Sequence, residues 1–255
     1  MFWTSSRSSR LPGWGFCVAY RGRLLGSLWL GACGGGGGAP TAATSPVSGS
    51  AAHQRPEPAP DMQSSAELGG LNEREAEKSF RASMEGLQTC VSDGVERLDF
   101  MGGSIEFAVK IDTHRQATQV WAAQSSLGER STEKCMFEAL RSVPWPAPQG
   151  GAFGIARNSF EFEPRKGAPA PAIWDAGRVA GVLTEVDSAL SSCRGGEKSR
   201  MLITLYIGEG GKALAGGAAS EEPLDEASVD CVVEALLAAQ YPRPEHSPTK
   251  VRFQL

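Results

Sequence analysis

The sequence predicts an α+β fold of two tandem domains, each in the order α-β-β-α-β. In each, a three-stranded antiparallel sheet is packed by two disulfide-linked helices. The first observation behind this is an internal repeat. Placing Ile105–Pro148 over Met201–Pro244, a shift of 96 residues without gaps, aligns Glu138-Ala139-Leu140 with Glu234-Ala235-Leu236. The same shift aligns Trp145-Pro146-Ala147-Pro148 with Tyr241-Pro242-Arg243-Pro244. The second is the cysteine pattern: Cys135 falls on Cys231, and one further cysteine precedes each copy, Cys90 and Cys193. The third is hydrophobic periodicity, which switches between helical and strand spacing in the same order in both copies.

In the first copy, Asn72-Glu73-Arg74-Glu75 is a helix start, because Asn72 can accept backbone N–H groups while Glu75 reaches back. Ala76, Phe80, Met84, Leu87 and Val91 then recur at three- or four-residue steps as one helical face, with Cys90 at its edge. Ser104–Asp112 alternates apolar and polar residues as a strand, Thr113–Gln116 is a turn, and Ala117–Gln124 returns. A second helix is predicted over Glu129–Val143, with Cys135, Met136, Ala139, Leu140 and Val143 on one face. The prolines after Trp145 stop it, and Phe153–Phe162 is the last strand.

The second copy repeats this order. Val179, Val182, Leu183, Val186, Leu190 and Cys193 form the helical stripe, and Met201–Ile207 is an apolar strand. Glu209-Gly210-Gly211 is a tight hairpin turn in which glycine tolerates positive φ. A helix follows over Asp225–Ala239, then the stop at Tyr241-Pro242-Arg243-Pro244 and a closing strand at Lys250–Leu255. Residues 71–163 and 172–255 are therefore the two domains, and 164–171, rich in Pro and Ala, link them.

Two cysteines per repeat at matched positions are the mark of structural disulfides and an oxidising compartment. The alternatives are free buried thiols or zinc. Zinc is disfavoured because no Cys-x-x-Cys occurs and His53, His114 and His246 are scattered, so neither metal nor cofactor is expected. The net charge is −4, and the first 32 residues hold four arginines and no acid, leaving −8 on the remainder. So acidic a body argues against nucleic-acid binding, which needs clustered Lys and Arg. No apolar run approaches the roughly 18 residues of a spanning helix, so the body is expected to be soluble.

Residues 1–32 have the form of a secretory signal: Arg21 and Arg23, a short apolar stretch from Leu24 to Leu30, then small residues. Leu30-Gly31-Ala32-Cys33 resembles the bacterial lipobox. The resemblance implies that Cys17 is lost with the signal and that Cys33 carries two or three acyl chains, enough for stable anchoring. A conventional cleaved signal, with Cys33 incidental, is the alternative. Residues 33–70 begin with Gly34–Gly38 and continue rich in Ala, Pro, Ser and Thr, a composition expected of a disordered tether. Gly34 lacks the aspartate that retains many such proteins in the inner membrane, which implies an outer-membrane location, facing periplasm or cell surface.

Cys90, Ser125-Ser126-Leu127-Gly128, Glu133-Lys134-Cys135 and Trp145-Pro146-Ala147-Pro148-Gln149-Gly150-Gly151 resemble the AgmX/PglI C-terminal domain, a TonB-C-terminal-like module of myxobacterial envelope proteins. The likeness covers about residues 80–162. The second copy diverges, with Glu221-Glu222-Pro223-Leu224 in place of the serine run and Tyr241 in place of tryptophan. The family implies protein–protein contact in the envelope, in some members within gliding-motility machinery. Such modules capture a partner's extended segment at a sheet edge. The expected partners are thus other envelope proteins, and the membrane through Cys33. Trp145 and Tyr241 are candidate binding aromatics, although residues before proline at a helix exit more often serve as packing anchors.

No catalytic residue is expected. Gly208-Glu-Gly-Gly-Lys212 lacks the leading glycine and the Ser or Thr of a phosphate loop, and it lies between strands. No Gly-x-Ser-x-Gly or His-Glu-x-x-His occurs, and Glu133, Glu138, Asp230 and Glu234 sit at spacings expected for solvated helix faces. The functional expectation is a non-enzymatic envelope lipoprotein that binds protein, the alternative being an accessory subunit that spaces or stabilises a complex. Mass spectrometry of the mature protein should find its first residue to be Cys33 with acyl mass attached. A mature form with no acyl mass on Cys33 overturns the anchor.

Overall fold

Side-chain alternation and capping set the elements of the computed structural model, which describes residues 68–195, 199–246 and 248–255. The predicted signal, Cys17, Cys33 and most of the tether lie outside the described residues. Asn72 caps α1 (Glu73–Ala82) by accepting from the Glu75 N–H at 3.2 Å. The single helix expected through Val91 is broken at Ser83, and α2 (Met84–Arg97) continues beyond it. The buried Ser83 hydroxyl donates to the Phe80 carbonyl at 2.8 Å, a local bond that competes with the helical ladder.

There follow β1 (Gly103–Asp112), β2 (Ala117–Ser125), α3 (Arg130–Arg141) and β3 (Phe153–Phe162). Arg115 takes a positive φ of 67° in the β1–β2 turn, where Asp112 accepts from the His114 and Gln116 N–H groups. The strands form an antiparallel sheet in the order β2-β1-β3. Ile105, Phe107, Val109 and Ile111 alternate onto its helix face and pack with Phe80, Leu87, Met136, Phe137 and Leu140. Each such side chain contributes about 2 kcal/mol by leaving water.

The second half holds β4 (Ala172–Trp174), a 3-10 turn at Ala176–Val179, then α4 (Ala180–Arg194), β5 (Leu202–Ile207), β6 (Ala213–Ala219), α5 (Glu226–Ala238) and β7 (Thr249–Gln254). The glycine turn lies between β5 and β6, with Gly211 at φ 74°. This sheet has four strands in the order β4-β7-β5-β6, not the expected three, and β4 pairs parallel to β7. The extra strand comes from the segment just before the second domain's first helix. Its three residues follow Pro169 and Pro171, extend alongside β7 and bury Trp174, so no long alternating run announces them. The first half contains a trace of the same device: Leu68, ahead of α1, makes one parallel bridge to Phe153 of β3.

Cys90 of α2 is bonded to Cys135 of α3, and Cys193 of α4 to Cys231 of α5, with Cα atoms 5.7 and 5.4 Å apart. In each half the two helices therefore lie side by side on one face of the sheet. Cys90 belongs to the core of the first half and Cys193 packs against that of the second, while Cys135 and Cys231 are exposed, so each bridge runs from the core side of one helix to the outer surface of the other. In the chain-entropy model each closure stabilises by roughly 4 kcal/mol as an upper figure. Reduction should lower the thermal midpoint by on the order of 10 °C. An unchanged midpoint, or four thiols titrating before reduction, overturns the pairing.

Candidate functional site

Among the described residues no group of His, Cys, Asp and Glu could hold a metal ion, and no helix is long and apolar enough to cross a membrane. The two aromatics singled out in the sequence are both interior. Trp145 is 1% exposed, donates from Nε1 to the Leu140 carbonyl at 2.9 Å, and meets Phe80 edge-on. Tyr241 is 3% exposed and donates from its hydroxyl to the Leu236 carbonyl at 2.8 Å. Leu140 and Leu236 are equivalent in the repeat, so two different side chains make one and the same anchor. Neither offers a face to a partner: both seat the chain as it leaves a helix, and burial holds the Tyr241 hydroxyl pKa well above its usual value.

What the fold does bring together is a junction between the two sheets. The edge strands β2 and β6 are equivalent in the repeat and they meet, with the Ser220 N–H donating to the Ala122 carbonyl at 2.9 Å. Val120, Trp121, Ala122 and Ala123 are all buried, as are Ala215 through Ala219, so each edge strand is covered on both faces. The loops that follow them cross over reciprocally. The Ser125 carbonyl accepts from Thr204 Oγ1 and Arg252 Nη2 of the second sheet, and Gly128, at φ 70°, lies where a Cβ would be 2.7 Å from Thr204. In return Glu221 accepts from Trp121 Nε1 at its carbonyl, and from Gln124 and Arg157 at its carboxylate.

Tyr206, fully buried on the open face of the second sheet, packs on Phe100 and sits beside Leu98 and Met101. Lys250 donates to the Gly102 carbonyl at 2.8 Å and lies 4.9 Å from the centre of the Tyr206 ring. Burial, with Arg252 nearby, lowers its pKa to about 8. The helices are tied by charge: Arg130 and Lys134 of α3 both bond Asp230 of α5, at 2.8 and 2.6 Å, and Arg141 bonds Glu226. Lys134 and Asp230 occupy the same position in the two copies, so this contact lies where a two-fold axis relating the copies would pass.

Glu133 departs furthest from the sequence expectation. Its spacing suits a solvated helix face, yet its side chain is completely buried where α3 meets β6. Its Oε1 accepts from Ser125 Oγ at 2.7 Å and its Oε2 from the Ala218 N–H at 3.4 Å. Gly217 makes the room, since a Cβ there would stand 2.6 Å from Glu133 Oε1. Burial raises the Glu133 pKa to about 7, although Ser125, Arg130 and Ala218 favour its charge. One sequence signal marks the junction: Val120–Ala123 and Ala215–Ala219 lose the apolar–polar alternation of a strand with one wet face.

Compared with protein-family models, with curated proteins and with solved structures, the chain finds no match.

The outer edge of β3 differs from the others. The edge of β7 is covered by β4, and β4 is short and preceded by prolines, which cannot donate to an added strand. The single Leu68 bridge touches only the first residue of β3, and the chain then turns away as Gly70 bonds Gln149. Among the described residues no backbone segment pairs with the outer edge from Gly154 to Phe162.

Because the Glu133 pKa is raised in the fold, its stabilising contribution is complete below about pH 4.5. It declines as pH rises and is gone above about pH 7, a loss on the order of 3 kcal/mol. Glu133→Gln, which keeps the acceptor and cannot ionise, should gain on the parent protein by on the order of 5 °C in thermal midpoint between pH 5 and pH 8. An equal difference at both pH values overturns the assignment.

Proposed function

We propose that this chain is a non-enzymatic cell-envelope lipoprotein that binds another envelope protein by adding an extended segment of that protein to β3. The observation that carries the reading is the unequal treatment of edges. Three of the four sheet edges are covered by the protein itself or kept short, while among the described residues nine residues of β3 pair with no further strand, and the Ser159 N–H there is held only by Oδ1 of its neighbour Asn158 at 2.9 Å. An unpaired edge of that length is a template for a further strand, with main-chain bonds giving affinity and alternate side chains giving selectivity.

Two further features support the compartment. The disulfides belong to an oxidising environment, and the segment ending at Cys33 resembles a lipoprotein signal. The resemblance to TonB-C-terminal-like modules supports the mode of binding. The second half, with its edge capped by β4 and its glycine turn remote from any cluster of reactive groups, serves in this reading to hold the first half rigid. Binding is thereby assigned to the first half alone.

A photo-crosslinking residue placed at Ser159 in the living host should give protein adducts, and one placed at Asp187, exposed on α4, should not. Adducts from Asp187 with none from Ser159 overturn the β3 assignment.

A further inference from the structure

We propose that one occupant of the β3 edge is the β3 strand of a second copy of this chain, paired antiparallel across a two-fold axis through Ser159. This rests on the reading of β3 as an interaction edge and names a partner for it. The geometry of a self-paired antiparallel strand is restrictive. Backbone N–H and C=O groups point alternately toward β1 and outward, and outward-pointing residues must face outward-pointing residues. The two strands must therefore be centred on a residue and not between two residues.

Charge then selects among the possible centres. On the open face of the sheet β3 presents Phe153, Ile155, Arg157, Ser159 and Glu161 in turn, opposite Asp112, Lys110, Ala108, Glu106 and Ser104 of β1. Centring on Arg157 would set two arginines against each other, and centring on Glu161 would set two glutamates together. Centring on Asn158 would pair Glu161 with Ile155, and centring on Phe160 would set the two Phe160 rings against each other and match Arg157 only to Glu163, which lies past the end of β3. Centring on Ser159 places Arg157 of each copy directly opposite Glu161 of the other, which gives two complementary pairs at once. Glu161 is exposed and makes no ion pair among the described residues. Arg157 binds both Glu106 and Glu221 through Nη1, so Nη2 of its guanidinium fork remains for a third carboxylate.

The helix face agrees with the same register. Phe160 and Phe162 are half-buried and stacked, with ring centres 6.4 Å apart, on the side of β3 toward α1. In this register they lie opposite Asn158 and Ala156 of the other copy, large side chains over small ones, and each copy covers the aromatic edge that its partner leaves half wet. The ladder ends with β3 itself, at Phe162. The product is a six-stranded sheet, β2-β1-β3 joined to its two-fold mate, with all helices on one side.

The full chain purified in detergent should show concentration-dependent dimers by sedimentation. Glu161→Arg, which sets arginine against arginine twice, should weaken the dimer on the order of tenfold to a hundredfold. The swap R157E/E161R should restore it. Because Arg157 also braces Glu106 and Glu221, an independent measurement is needed: Ser159→Cys should join two copies through a disulfide on mild oxidation, and Ile155→Cys, whose opposite residue is Glu163, should not. A chain that stays monomeric at all concentrations, or equal crosslinking at positions 155 and 159, overturns the proposal. Adducts from Ser159 to a different protein with no second copy among them also overturn it, while leaving the strand-addition reading intact.

Discussion

Unpaired backbone at the rim of a sheet has to be bonded, covered or kept short, and the arrangement of this protein follows from how it meets that demand. The hairpin strands β2 and β6 end their respective sheets, and each covers the other. That contact requires flat strands with small side chains, which explains why β6 reads Ala213-Leu-Ala-Gly-Gly-Ala-Ala219, a poor strand by propensity. It also brings α3 down onto β6, which buries Glu133 and leaves Gly217 without space for a side chain. Small residues, a buried carboxyl and reciprocal loops are consequences of one edge-to-edge contact.

The disulfides act at a different level. Each joins the two helices of one half and neither crosses the junction. Covalent closure thus secures each half against its own unfolding, while the association of the halves depends on packing, on the Asp230 and Glu226 ion pairs and on the protonation of Glu133. Glu133, whose burial disfavours its charged form, meets the second half at a contact that neither disulfide crosses.

Periodicity made the regular elements legible. The strand over Phe153–Phe162 and the cap at Asn72 sit where the sequence places them, and the helix expected from Asp225 begins one residue later with Asp225 as its cap. The matched cysteines predicted the pairing within each half, because both lie along helices that share one sheet face. The break at Ser83 was not legible, since one hydroxyl bond decides it within an unbroken apolar stripe. Nor was β4, which three residues cannot announce. The junction was hidden for a more general reason: helical spacing separates inward from outward positions, but it cannot tell water from a neighbouring domain. Glu133 therefore read as solvated, whereas for Trp145 and Tyr241 the place before proline at a helix exit already favoured the interior anchor seen in the fold.

The meeting of Lys134 with Asp230 has a consequence for how the halves recognise one another. Equivalent positions face each other across the junction, so two first halves would oppose lysine to lysine, and two second halves aspartate to aspartate. Opposite charge at one repeated position makes the joint heterotypic. Each half thus carries at this position the charge that suits its sibling in the same chain and not a second copy of itself.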